Sequence, residues 1–149
     1  RLTGSTRGKA RMDAGVLARR TTTANYTATA VVDRGGLRGD AVGGLGSYRS
    51  EFEGIGLSVG RERLTIWQRD RGKLKILARG KAPTSRVVHV RMRARGNTFR
   101  FQVSSEGMVW RTVGRTFRGP IYESARVALT AGGVRRGSAV FRSVSLSEN

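Results

Sequence analysis

A period-two alternation of apolar and polar residues is the feature that most constrains what this chain can fold into. Along residues 87–93, Val88, Val90 and Met92 alternate with polar or charged residues, and residues 98–104 repeat the pattern with phenylalanine and valine. Such alternation places the apolar side chains on one face of a strand. No window of about 12 residues keeps the 3.6-residue period of an amphipathic helix. The sequence therefore predicts strands throughout.

Short turns rich in glycine separate these segments at the spacing typical of a sandwich or barrel. The loop Asp70-Arg71-Gly72 is predicted to join two strands as a three-residue hairpin. The glycine-rich segment 41–48 is predicted to be a tightly packed central strand. The predicted strands span residues 15–20, 26–33, 41–48, 54–59, 64–69, 73–79, 87–93, 98–104, 109–113, 126–131 and 139–146. We expect an all-β, two-sheet antiparallel β-sandwich that forms one domain over residues 1–149.

Composition excludes several classes of site. The 149 residues include no cysteine, so neither a disulfide nor a thiolate metal site can form. His89 is the one histidine, which leaves no ligand set for zinc. No apolar stretch approaches the roughly 20 residues that cross a bilayer, so no membrane span is predicted.

The charge is extreme for a chain of this length. Lysine and arginine number 29 against 10 acidic residues, for a net charge of +19 at pH 7. A field of this size attracts polyanions such as nucleic acid or acidic polysaccharide. The basic residues are spread along the whole chain, which also fits an adaptation of the host. The charge thus indicates a polyanionic partner without locating it.

Two glutamates are the strongest candidates for catalysis. Glu51 and Glu53 are two residues apart and would share one face of a strand. A pair of carboxylates is the minimum that most glycoside hydrolases use. Their position beside Ser50 and Gly54 also fits a solvated turn. A glycoside hydrolase therefore stays open as an alternative, and we favour a non-catalytic chain.

Three aspartates are candidate oxygen ligands for a structural calcium ion. Asp13, Asp33 and Asp40 precede or follow predicted turns, but no dense acidic loop surrounds them. Turn and capping roles are the favoured explanation of these aspartates. No other cofactor is predicted.

One sheet face carries the candidate ligand-binding site. If Leu64, Ile66 and the apolar side chains of the neighbouring strands point inward, an aromatic residue and several planar polar groups point outward. An exposed ring suits a sugar or a base, and arginine forks suit carboxylate or phosphate. The alternative is that a loop or a neighbouring domain covers the ring. The predicted site comprises Trp67, Arg69, His89, Arg91, Arg93, Arg100 and Gln102. The second tryptophan, Trp110, is instead expected to pin the 105–107 turn against the core.

Several short motifs resemble one known family in the order in which they occur. Residues 15–20 read GVLARR, residues 26–33 read YTATAVVD, and residues 105–110 read SEGMVW. These segments resemble the concanavalin A-like sandwich that follows the catalytic domain of family 43 glycoside hydrolases and occurs in related secreted bacterial proteins. The chain departs from the pattern at Glu106, where an aspartate is usual, and its closing AVF at 139–141 lacks the usual acid and tryptophan.

The resemblance implies a concanavalin A-like jelly roll that serves as a non-catalytic, carbohydrate-binding accessory module. It also implies a secreted or cell-envelope location in a bacterium. The opening residues 1–4 resemble a strand that other members place further along, so the first one or two strands are expected to lie outside this chain or to come from another domain or chain. The expected partners are carbohydrate, including acidic polysaccharide, or alternatively nucleic acid.

Overall fold

The computed structural model describes residues 1–5, 11–119, 125–133 and 136–149. Within these residues the chain forms twelve strands and one short 3-10 turn, and no α-helix. The elements are β1 (Leu2–Ser5), β2 (Arg11–Arg20), β3 (Tyr26–Asp33), η1 (Arg34–Gly36), β4 (Val42–Ser50), β5 (Glu53–Val59), β6 (Arg63–Asp70), β7 (Lys73–Lys81), β8 (Val87–Arg95), β9 (Thr98–Ser104), β10 (Arg111–Arg118), β11 (Arg126–Gly133) and β12 (Arg136–Glu148). No helix in this part of the chain is long and apolar enough to cross a membrane.

The strands form two six-stranded sheets that pack face to face. Sheet I has the order β1-β12-β3-β8-β9-β10, and sheet II has the order β2-β11-β4-β5-β6-β7. Every recorded strand pairing is antiparallel. The predicted two-sheet antiparallel β-sandwich is therefore confirmed.

The core lies between the two sheets, as the period-two alternation of apolar and polar residues predicted. Val88, Val90 and Met92 of β8 are fully buried against Leu64 and Ile66 of β6 in one cluster. A polar contact also crosses this core. The Tyr26 hydroxyl of β3 donates to Oγ of Ser47 in β4, at 2.9 Å. Burial raises the pKa of Tyr26, so the phenol stays neutral and remains a donor.

Glycine in β4 permits a close approach between strands, which confirms the predicted central position. The strand lies between β11 and β5. A Cβ on Gly44 would lie only 2.0 Å from the carbonyl oxygen of Leu57 in β5. A Cβ on Gly43 would lie 2.5 Å from the Cβ of Ala139 in the opposite sheet. A larger residue at either position would push strands apart.

The hairpin between β6 and β7 differs from the prediction by one residue. Asp70 pairs with Lys73, so only Arg71 and Gly72 form the loop. Both have positive φ, 49° and 79°, as a type I′ turn requires. The predicted three-residue loop was wrong because Asp70 continues the strand ladder.

Candidate ligand-binding site

The seven residues of the predicted site divide between opposite sides of the sandwich. Five lie together on the outer face of sheet I, on the adjacent strands β8 and β9: His89, Arg91, Arg93, Arg100 and Gln102. Trp67 and Arg69 lie on β6, in the other sheet. The prediction of one shared face was wrong, because alternation fixes the side of its own strand on which a residue lies and not the sheet that the strand joins.

Trp67 does point away from the inter-sheet core, but it is buried. None of its surface is exposed, and it packs with Tyr48 and Ala128 on the outer face of sheet II. Its indole Nε1 donates to Oγ of Ser58 at 3.0 Å. A Cβ on Gly56 would lie 2.6 Å from the Trp67 ring, so the ring lies directly on the glycine backbone. This side chain is a structural element of the face and offers no open platform.

A bulge in β2 helps to close this outer face of sheet II. Ala131 of β11 pairs with Gly15, but Gly133 pairs with Arg11, so residues 12–14 oppose a single residue. The bulge brings Met12 against the cluster around Trp67. It also brings Asp13 to Arg69, with Oδ1 and Nη2 2.9 Å apart. Arg69 is only 8% exposed as a result and is engaged with its own chain.

Trp110 supplies the aromatic ring on the outer face of sheet I. The guanidinium carbon of Arg91 lies 4.0 Å from the centroid of its ring. The His89 ring meets it edge-on, with centroids 6.5 Å apart and planes at 89°. The expectation that Trp110 pins the 105–107 turn against the core was wrong, because this turn folds over the outside of β8. We call Trp110, His89, Arg91, Arg93, Arg100 and Gln102 the Trp110 face.

The turn that delivers Trp110 depends on a glycine and a serine. Ser104 Oγ accepts hydrogen bonds from the backbone N–H groups of Glu106, at 3.3 Å, and Gly107, at 2.9 Å. Gly107 has φ of 80°, and a Cβ there would lie 2.9 Å from Nδ1 of His89. Only glycine satisfies both demands. The SEGMVW motif at residues 105–110, which resembles the family, therefore also places Trp110 on the outer face of sheet I. This role of the motif was not predicted from the sequence.

Hydrogen bonds hold the polar groups of the Trp110 face in place. Arg91 Nε donates to Oε1 of Gln102 at 3.0 Å, and Arg100 Nε donates to Oγ1 of Thr116 at 3.3 Å. Burial, together with the charge of Arg93, lowers the pKa of Arg91. The guanidinium nevertheless stays protonated at neutral pH, because arginine titrates far above it. The result is a set of planar donors fixed beside an indole ring.

Apolar side chains extend this face at its turn. Met108 and Val109, which directly precede Trp110, are 80% and 85% exposed. Large apolar groups that are this exposed next to an aromatic ring are typical of a contact surface. The Trp110 face therefore combines an aromatic ring, an apolar rim and oriented hydrogen-bond donors.

The two candidate catalytic glutamates do not share a strand. Glu51 lies in the turn between β4 and β5, where the backbone N–H of Phe52 donates to Oγ of Ser50. Glu53 begins β5, and its carboxylate lies 3.3 Å from Arg49. The solvated-turn interpretation agrees with this arrangement.

The candidate calcium ligands lie in different parts of the sandwich. Asp13 is paired with Arg69 on sheet II, whereas Asp33 ends β3 in sheet I and lies 2.9 Å from Arg142. The hydrogen bond from Arg142 holds the pKa of Asp33 below its usual value. Asp40 lies in an exposed turn. Among the described residues no three acidic or histidine side chains cluster as a metal site would require. A structural calcium ion stays a prediction.

Comparison with known proteins agrees with the sandwich and its motifs. Residues 1–134 match the family described as the β-xylosidase C-terminal concanavalin A-like domain of family 43 glycoside hydrolases. The chain belongs to this family. A search of curated proteins finds none that matches its sequence.

Solved structures with the same sandwich include chains much longer than this one and chains of about the same length. The family 43 protein BlXynB from Bacillus licheniformis aligns with a TM-score of 0.79 and 16% identity, over 99% of this chain and 32% of that one. The carbohydrate-binding module CBM66 from Bacillus subtilis aligns with a TM-score of 0.66 and 16% identity, over 99% of this chain and 95% of that one. Sheep galectin-11 aligns with a TM-score of 0.57 and 9% identity, over 95% and 100%.

The two kinds of relative differ in how much of their length this domain covers. The chain spans about a third of BlXynB but nearly all of CBM66. At these identities the structural likeness establishes the concanavalin A-like fold and nothing about the ligand.

Proposed function

We propose that this chain is a non-catalytic accessory module of a secreted bacterial protein and that it binds carbohydrate through the Trp110 face. The observation that carries the proposal is the stack of Arg91 on Trp110 beside His89, with Gln102 fixed by hydrogen bonds to Arg91 and Thr112. No comparable open arrangement exists around Trp67, which the protein itself covers.

The chemistry of this face suits a sugar. An indole edge and apolar rim offer contact to the C–H groups of a pyranose ring, and amide or guanidinium groups offer planar hydrogen bonds to its hydroxyls. Gln102 contributes both a donor and an acceptor, which neutral hydroxyl groups need. Because hydrogen bonds already hold Arg91 and Gln102 in place, little ordering entropy of these side chains is lost on binding.

The family description guides the choice of sugars to test. The family takes its description from β-xylosidases, so xylan and its arabinose-decorated forms are the first probes. CBM66, which this chain covers almost completely, is by description a carbohydrate-binding module. These relationships support binding as the function of an accessory sandwich.

The alternative of a glycoside hydrolase rests on Glu51 and Glu53. A turn residue and a carboxylate paired with Arg49 do not form the opposed pair that hydrolysis uses. If this chain were an enzyme through these residues, an E51Q/E53Q variant would lose reducing-sugar release from the same polysaccharides. We expect no release from either protein.

Affinity gel electrophoresis tests the proposal. Soluble xylan, arabinoxylan and xyloglucan are cast in separate gels, and the wild-type chain is compared with W110A. The control is F52A, which removes an exposed aromatic ring far from Trp110 in the chain. We expect at least one polysaccharide to retard the wild type and F52A but not W110A. Equal mobility of all three proteins in every gel would contradict carbohydrate binding at this face.

A further inference from the structure

A strongly basic cleft, separate from the Trp110 face, lies at one end of the sandwich. It has a volume of about 990 Å³ and is formed by η1, the turn before β6, the end of β7 and the loop at 82–86. Its described lining contains seven basic side chains against one acidic side chain, Glu62. The basic residues are Arg34, Arg38, Arg61, Arg63, Arg79, Lys81 and Arg86.

Cross-strand pairing concentrates positive charge in this cleft. Arg63 on β6 lies directly opposite Lys81 on β7. Arg79, two residues before Lys81 on the same strand, lies opposite Thr65. Like charges directly opposite each other destabilise an antiparallel pair. Among the described residues no ion pair neutralises Arg61, Arg63, Arg79 or Lys81. These cations are exposed, and a bound anion would relieve the repulsion between them.

The walls of the cleft are held in place by Arg34. Its guanidinium donates to the carbonyl oxygens of Arg61 at 2.9 Å and Thr84 at 2.7 Å, and also to that of Pro83. Its backbone N–H donates to the carbonyl oxygen of Arg86 at 2.8 Å. Arg34 thereby ties three loops together and acts as a positioning residue. The exposed cations around it project from a preformed frame.

We infer that this cleft binds the carboxylate or sulfate groups of an acidic polysaccharide. Arginine forks match the two oxygens of such groups. The volume of the cleft lies at the upper end of the range for ligand pockets. The described lining contains no aromatic or histidine side chain on which a nucleic acid base could stack, which favours an anionic sugar over single-stranded nucleic acid. This site goes beyond the proposed function, since it uses other residues and another ligand chemistry.

Two matched charge variants test the inference. R61Q/R63Q/R79Q removes three charges from the cleft, whereas K73Q/K75Q/R118Q removes three exposed charges elsewhere. Isothermal titration with polygalacturonate, heparin and single-stranded DNA is run at about 50 mM and about 200 mM salt. Circular dichroism checks that each variant is folded.

We expect polygalacturonate or heparin to bind the wild type more tightly than DNA does, with an affinity that falls steeply as salt rises. The cleft variant should lose about tenfold or more in affinity, the control variant should lose much less, and E62Q should bind more tightly than the wild type. Equal losses in both triple variants would show that diffuse charge does the binding and would overturn the inference. DNA binding that equals or exceeds that of the acidic sugars, or no binding at all, would also overturn it. Because W110A leaves these cations in place, failure of the Trp110 face and failure of the cleft are separately visible.

Discussion

At the scale of single residues, the two tryptophans show how environment decides role. Trp67 and Trp110 both lie outside the inter-sheet core. Trp67 rests on Gly56, donates to Ser58 and is fully buried, so it stabilises the fold. Trp110 rests on Arg91 and His89 beside exposed apolar residues, so it can meet a ligand. Period two correctly pointed Trp67 away from the core, but nothing local to β6 predicted the β2 bulge that helps to cover it.

A buried hydroxyl pair gives a test at this scale. Tyr26→Phe removes the donor to Ser47 and leaves that hydroxyl without its tyrosine partner between the sheets. Urea denaturation should show a loss of about 1–3 kcal/mol in the free energy of unfolding. The double variant Y26F/S47A should recover part of the loss, since both polar groups are then gone. Undiminished stability of Y26F would show that the pair contributes nothing.

At the scale of elements, regular strands were predictable and bulges were not. The ends of β3 and β9 agree with the sequence pattern, because apolar alternation is a local property of each strand. The bulges in β2 and β12 were not foreseen, since each depends on a partner strand that is distant in the chain. Asp13 and Arg69 had each been singled out for another role, but their pairing was not predicted.

The β2 bulge is expected to depend on its ion pair. The side chains of Asp13 and Arg69 are 2% and 10% exposed, so removing Asp13 leaves the Arg69 charge buried without this carboxylate. Asp13→Ala should cost about 3–5 kcal/mol in the free energy of unfolding. Chemical denaturation measures this, and half-buried Asp70→Ala on the same sheet is the control. Equal stabilities of the two variants would contradict a structural role for the pair.

The β12 bulge predicts a dependence of stability on pH. Register shifts between Phe141 and Ser143 free Arg142 to reach Asp33 of the neighbouring strand. This hydrogen bond lowers the pKa of Asp33, so its contribution to stability is present above the usual carboxyl pKa of about 4 and is lost as pH falls through the lowered value. Thermal melts should show R142Q less stable than wild type at neutral pH, with the difference vanishing in strong acid. A difference independent of pH would rule out this linkage.

At the scale of the whole molecule, the basic residues behind the net charge of +19 are unevenly distributed over the fold. The sequence shows basic residues everywhere, whereas the fold gathers seven of them around one cleft. Strand pairing brings Arg63 opposite Lys81 although eighteen positions separate them in the chain. A pattern read along one strand does not show which residues lie opposite each other on paired strands. The charge therefore seemed diffuse in the sequence.

The crowding of charge predicts that binding and stability oppose each other. Lys81→Gln removes a like charge opposite Arg63 and should raise the free energy of unfolding by about 0.2–1 kcal/mol at low salt. Added salt should screen the repulsion and shrink this gain. Thermal melts across a salt series measure both effects. A destabilised variant, or a gain that salt does not change, would contradict the like-charge interpretation.

The most direct test of carbohydrate binding uses the fluorescence of the two tryptophans. Wild-type protein and W110F are titrated with soluble xylan, arabinoxylan and xyloglucan, and both emission and acrylamide quenching are followed. Since Trp67 is buried, a sugar on the Trp110 face should change the emission of the wild type and protect it from quenching, while W110F shows neither effect. A response that persists in W110F, or no response of the wild type to any of the three polysaccharides, would contradict the proposed role of this face.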